Sequence, residues 1–153
     1  MDKSEFAYVI MIRTTPEKLW QALTEPEFTR RFWVGTVQQC DWKIGSPWKL
    51  LAPDGRLADA GEVVEIDVPR RLVLKWQNHL FAELTAEGFS RMTYTLEPIG
   101  SSVKLTVTHT MDRDDSKLVK AVSNGWPSIL SSLKSLLETG EALEGSDRWP
   151  EGI

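Results

Sequence analysis

The chain has little of what most catalytic and nucleic-acid-binding proteins rely on. Two histidines, His79 and His109, and a single cysteine, Cys40, are its whole stock of soft metal ligands, and no spacing among them resembles a metal site. Cys40 cannot form an internal disulfide and has no base marked beside it in sequence, so neither a disulfide scaffold nor a thiol nucleophile is indicated; a lone cysteine fits a reducing, cytoplasmic setting. There is no basic excess: 18 Lys and Arg against 22 Asp and Glu give a net charge of -4 with the signs interspersed. That excludes the basic face of a nucleic-acid binder, and Arg30-Arg31 and Arg70-Arg71 read as solvated edges. The apolar run from Phe6 to Ile12 is too brief for an ordinary signal peptide or a membrane span. No Gly-x-Ser-x-Gly elbow is present, and Gly100-Ser101-Ser102-Val103-Lys104 belongs to a hairpin turn, so it cradles no phosphate. No repeat or low-complexity tract appears.

What the chain does have is tryptophan. Seven residues, against two Tyr and five Phe, make Trp half of the aromatic total. Each buried indole N–H needs an acceptor, so Trp favours core edges, pockets and interfaces. Trp20 and Trp33 fall on predicted short helices, Trp42 and Trp48 flank the first hairpin, and Trp76 and Trp126 are expected to meet at a pocket. Trp149 has no core to join and is a candidate contact.

The patterning gives an element order. Phe6 to Ile12 reads as a strand covered on both faces. Thr14-Thr15-Pro16-Glu17 starts a helix, through Thr15 as cap or a Thr14–Glu17 capping box, and Thr24-Glu25-Pro26-Glu27 starts a second. Strands follow over Val37 to Asp41, Pro47 to Leu51 and Leu57 to Asp67, bounded by Ala52-Pro53-Asp54-Gly55 and Val68-Pro69-Arg70. Leu72, Leu74 and Trp76 mark the dry face of a further strand, while His79 to Phe89 lacks pattern and is expected to be a mobile loop. Met92, Tyr94 and Leu96, then Val103, Leu105, Val107, His109 and Met111, alternate with polar residues and form a hairpin through Pro98-Ile99-Gly100-Ser101. Leu118, Val122, Trp126, Ile129, Leu133 and Leu136 give a helical stripe ending at Thr139-Gly140, with a break or kink expected at Pro127. Glu144 to Ile153 is expected on the surface.

An antiparallel sheet with one dry face needs a cover, and the terminal helix supplies it, so the fold class is α+β: six to seven curved antiparallel strands around a long C-terminal helix, with two short helices after the first strand. Such a sheet leaves a gap beside the helix, where small ligands bind. The segment Ile12-Arg13-Thr14-Thr15-Pro16-Glu17-Lys18-Leu19-Trp20-Gln21-Ala22-Leu23-Thr24-Glu25-Pro26-Glu27, with Gly61-Glu62-Val63-Val64-Glu65-Ile66-Asp67, Pro69-Arg70-Arg71-Leu72-Val73 and Gly125-Trp126 before Leu130 and Leu133, resembles the family of activators of heat-shock protein 90 ATPase homologues. That family lies in the START-like, or SRPBCC, superfamily with birch-pollen-allergen-like proteins and polyketide cyclases. The resemblance covers about residues 6–140 and implies the helix-grip fold; the chain is read as one START-like domain over residues 1–143 with a tail over 144–153. It implies no reaction, because the superfamily mixes carriers, receptors, cyclases and co-chaperone domains. Where many members have paired glycines before the third strand, this chain has Gly45-Ser46.

Inward-facing alternation assigns the cavity Trp76, Asn78, Met92, Tyr94, His109 and Met111 from the sheet, with Trp126 and Ile129 from the helix. Glu62 and Glu65 are expected on opposite faces, and a buried carboxylate there would be costly. His109 has a useful pKa for acid–base work, and Tyr94 a hydroxyl to orient a ligand. The competing structural role has His109 satisfied by Tyr94 or a backbone carbonyl. No catalytic set, metal or cofactor is assigned. The reading placed first is a binding module for a small hydrophobic or amphipathic ligand; a co-chaperone-like or stress-response protein, acting on a protein partner or as a homodimer, and a cyclase or dehydratase using His109 and Tyr94 are the alternatives.

Overall fold

The computed structural model describes residues 3–153 and consists of one seven-stranded sheet gripping a long helix. Strand β1 (Ser4–Ile12) is followed by α1 (Pro16–Thr24) and α2 (Pro26–Phe32), then β2 (Val37–Cys40), β3 (Pro47–Leu51), β4 (Leu57–Asp67) and β5 (Arg71–Asn78). A single-turn helix α3 (Ala82–Thr85) precedes the hairpin β6 (Ser90–Ile99) and β7 (Ser102–Met111), and α4 (Lys117–Thr139) closes the order. Every pairing is antiparallel and the strand order is β1-β7-β6-β5-β4-β3-β2, so β1 and β2 are the edges.

The caps show why these segments start where they do. Thr15 accepts the Lys18 N–H at 3.2 Å with Pro16 in the first turn, which selects Thr15 over the Thr14–Glu17 box. Helix α2 departs from expectation: Thr24 ends α1, donating its hydroxyl to Trp20 O at 2.8 Å, and Glu25 caps α2 without a side-chain bond. Gly45 takes φ +84°, and Ser46 Oγ donates to Lys43 O at 2.7 Å, so a hydroxyl clasp stands in the second glycine's place.

Three local expectations are corrected. β1 is covered on one face only: Phe6, Tyr8, Ile10 and Ile12 turn inward while Val9 and Met11 stand 52% and 40% exposed, because the single sheet carries its helices on one side and has no second layer on the other. The segment 79–89 is pinned. The Leu80 and Phe81 N–H groups donate to Asn78 Oδ1 at 2.9 and 3.0 Å, and Thr85 Oγ1 donates to Asn78 O at 2.7 Å. Glu87 accepts from the Lys117 N–H at 2.8 Å and from Ser116 Oγ at 2.6 Å, which anchors the start of α4, where the helix dipole favours a carboxylate. Finally, α4 runs unbroken through Pro127: proline's φ suits a helix, and burial of Trp126, Leu130 and Leu133 against the sheet outweighs one missing backbone bond. It ends on Gly140 at φ +85°.

A register shift at Val64 also changes a predicted orientation. Glu62 lies opposite Lys75 and Glu65 opposite Val73, both odd-numbered positions of β5, so one extra residue in β4 brings the two carboxylates to the same outer face. There they form exposed ion pairs, Glu62 with Lys75 at 3.1 Å and Glu65 with Arg71 at 2.8 Å. Among the described residues no helix is long and apolar enough to cross a membrane.

Candidate functional site

Four indoles meet where β3, β4 and β5 face α4. Trp48 and Trp76 lie with ring centroids 4.5 Å apart, Trp33 is 5.4 Å from Trp126 and 6.1 Å from Trp76, and Trp76 is 6.0 Å from Trp126. The expected meeting of Trp76 and Trp126 is there, and Trp33 and Trp48, expected on a short helix and beside the first hairpin, join it. Three of these indoles find a buried acceptor. Trp48 Nε1 donates to Gln38 Oε1 at 2.9 Å, with Gln38 Nε2 held by Leu23 O at 2.7 Å. Trp126 Nε1 reaches His109 Nδ1 at 3.4 Å, and Trp76 Nε1 donates to Asp59 Oδ1 at 2.9 Å.

Beside this cluster is a cavity of about 210 Å³, walled by Leu50 of β3, Asp59 of β4, Trp76 and Asn78 of β5, Trp33, the Phe81–Leu84 segment, and one side of α4 that includes Val122, Trp126 and Ile129. Gly125 lines it too; a Cβ there would meet nothing within 4 Å, so the missing side chain leaves open space at the helix wall. A second cavity of about 210 Å³ shares Trp33, Leu50, Asp59 and Phe81 and is completed by Trp149, Pro150 and Ile153. Trp149 thus has a definite place, its Nε1 donating to Ile153 O at 2.8 Å. The preceding Ser146 ties the tail down, its carbonyl accepting the Val34 N–H at 2.7 Å.

Of the eight residues assigned to the cavity from sequence, Trp76, Asn78, Trp126 and Ile129 line it, and Met92, Tyr94, His109 and Met111 do not. Met92 and Met111 are core residues. His109 is a structural histidine in its bonding. Because the indole N–H of Trp126 can only donate, Nδ1 accepts; Nε2 therefore carries the proton and donates to Ser90 Oγ at 2.7 Å, which donates on to Trp76 O at 2.9 Å. Burial pushes its pKa down to about 3, so the ring is neutral. Its partners are Ser90 and Trp126 in place of the expected Tyr94. Tyr94 packs edge-on to Trp126 at 6.0 Å; its fully buried hydroxyl, with its pKa raised by burial, has no hydrogen-bond partner among the described residues. Tyr94→Phe should therefore raise stability by about 1 kcal/mol in urea unfolding, since it removes an unsatisfied buried group; a loss would mean the hydroxyl has a partner.

The residue missed from sequence is Asp59. It is 7% exposed, borders both cavities, and accepts from Trp76 Nε1 and, at 3.3 Å, from Asn78 Nδ2, both on Oδ1. Oδ2 takes no hydrogen bond from the described residues and is the oxygen left for a proton or a ligand. Desolvation raises the carboxyl pKa to about 7 against the two lowering hydrogen bonds. The signal was present: Val63 turns inward, and stepping back by two through Gly61 reaches Asp59.

An antiparallel sheet wrapped on a C-terminal helix, with an apolar cavity inside the grip, defines a START-like domain. The chain belongs to the family of activator of Hsp90 ATPase homolog 1-like proteins, whose pattern matches residues 13–138. No curated protein matches it in sequence. Among solved structures it is similar to a protein from Mesorhizobium loti, with TM-score 0.74 and 23% identity over 88% of this chain and 97% of that one. It is also similar to the Aha1 dimer from Colwellia psychrerythraea, with TM-score 0.73 and 19% identity over 91% and 99%. An Hsp90 activator from Plasmodium falciparum matches with TM-score 0.70 and 24% identity over 87% and 95%. At these identities the likeness is one of fold.

Proposed function

We propose that the chain is a binding module for a small hydrophobic or amphipathic molecule held between the sheet and α4. The observation that carries this reading is the cavity itself: indole and aliphatic walls with two polar side chains, Asp59 and Asn78, the usual composition of a small-molecule site. Its size suits one aromatic ring with a short arm, since benzene occupies an apolar protein cavity of about 150 Å³. A co-chaperone role would need no such cavity, and a cyclase or dehydratase built on His109 and Tyr94 would need both to reach it.

Ethylbenzene, followed by quenching of tryptophan fluorescence and by thermal shift, tests the reading. It should bind the wild type, and Ile129→Phe should weaken binding at least tenfold by filling the space from the helix side; Val122→Phe repeats the block from two turns earlier. Undiminished binding in both folded variants would place the ligand elsewhere and defeat the proposal.

A further inference from the structure

The cavity wall holds one charge and no partner for it. Neither cavity is lined by Lys, Arg or His, so the carboxyl group of Asp59 has no counter-charge among the residues that wall them. Buried carboxylates are ordinarily paired or bound to metal. A metal is not the answer here, because no group of three His, Cys, Asp or Glu converges among the described residues. Nor does holding Trp76 and Asn78 require a carboxylate: both N–H groups fall on Oδ1, a task the single carbonyl oxygen of an asparagine would perform without the cost of burying charge. The remaining oxygen, Oδ2, is left over, and it belongs to a residue bordering both cavities beside an aromatic wall of Trp33, Trp76 and Phe81.

We propose that the cavity takes an organic ammonium, a small aromatic or alkyl amine whose protonated nitrogen donates to Asp59 Oδ2 while its apolar part packs among Trp33, Trp126 and Ile129. This deepens the ligand-binding reading and rests on it. An ammonium supplies the missing positive charge and a charge-assisted hydrogen bond at the same point, and the indole faces add cation–π attraction. A carboxylate or phosphate ligand would meet the ionised Asp59 with like charge. An alcohol of the same shape fills the cavity and leaves the charge uncompensated.

Three probes of one shape separate these terms: 2-phenylethylamine, 2-phenylethanol and ethylbenzene, titrated at pH 8 into the wild type and into Asp59→Asn. The amine should bind the wild type at least tenfold more tightly than the alcohol. Asp59→Asn should weaken the amine at least tenfold and keep both neutral compounds. Equal affinity of the wild type for amine and alcohol, or amine affinity unchanged in Asp59→Asn, overturns the ammonium inference while the neutral compounds still support a ligand site. Failure of all three probes to bind either protein overturns both.

Discussion

At pH 8 Asp59→Asn should be more stable than the wild type by about 4 kcal/mol, and the difference should vanish toward pH 4. The unfolded carboxyl titrates near its ordinary 3.8, whereas in the fold desolvation raises it to about 7. Between those values the native state keeps a proton that the unfolded chain has lost, so the native state binds more protons and stability falls as pH rises. Well below 3.8 both states are protonated and the contribution of Asp59 is fully present; above pH 7 it is gone, because the fold must then hold an ionised carboxylate in an apolar cavity. The displacement corresponds to about 4 kcal/mol at about 1.4 per pH decade. Asparagine keeps an acceptor for Trp76 and Asn78 and does not titrate. His109, whose folded pKa is depressed, works in the opposite sense, adding stability as pH rises through its unfolded value, but it is common to both proteins and cancels in the comparison. Urea unfolding by tryptophan fluorescence at pH 4, 5.5, 7 and 8 measures the difference. A flat profile would show that Asp59 is solvated, and the cavity with it.

The same residue shows what could be read from sequence and what could not. β3 and β4 match their expected bounds, Pro47–Leu51 and Leu57–Asp67, because Ala52-Pro53-Asp54-Gly55 and Val68-Pro69-Arg70 leave the chain nowhere else to turn. β6 and β7 were legible from alternation, and α4 from its stripe. Alternation is faint where side chains are small: Leu57-Ala58-Asp59-Ala60-Gly61 has no hydrophobic period of its own, so the direction of Asp59 is legible only by counting back from Val63. The shift at Val64 hides more, since it reverses the face of everything beyond it relative to simple counting. His109 illustrates a different limit. Its inward direction was readable, but an inward residue on a sheet can meet either cavity or core. Trp126 and Ser90, distant in sequence, decide that it meets core. Trp33 lines the cavity because the chain after α2 carries it over the sheet, a tertiary placement that no short-range pattern encodes.

Gly61→Ala should cost about 3 kcal/mol or more and disturb the indole cluster. Gly61 sits opposite Trp48 of β3 on one side and Trp76 of β5 on the other. Strands two apart in a sheet are separated by about 9–10 Å, yet these two indoles meet with centroids 4.5 Å apart, leaning together across the position where β4 has no side chain. A Cβ at Gly61 would lie 1.8 Å from Lys75 O and 2.6 Å from Lys75 C. Those are backbone atoms, so no rotamer change relieves the clash; β4 and β5 must separate, loosening the Trp76–Asp59 bond that orients the cavity's carboxyl group. Gly125→Ala is the matched control on the opposite wall: its Cβ meets nothing within 4 Å, and replacing glycine within α4 should gain up to about 1 kcal/mol. Urea unfolding gives the two stabilities, and near-ultraviolet circular dichroism reports the indole packing, which Gly61→Ala should change and Gly125→Ala should preserve. Wild-type stability in Gly61→Ala would mean that β4 and β5 have slack at this crossing, and the close approach would then have no part in fixing how Trp48 and Trp76 meet.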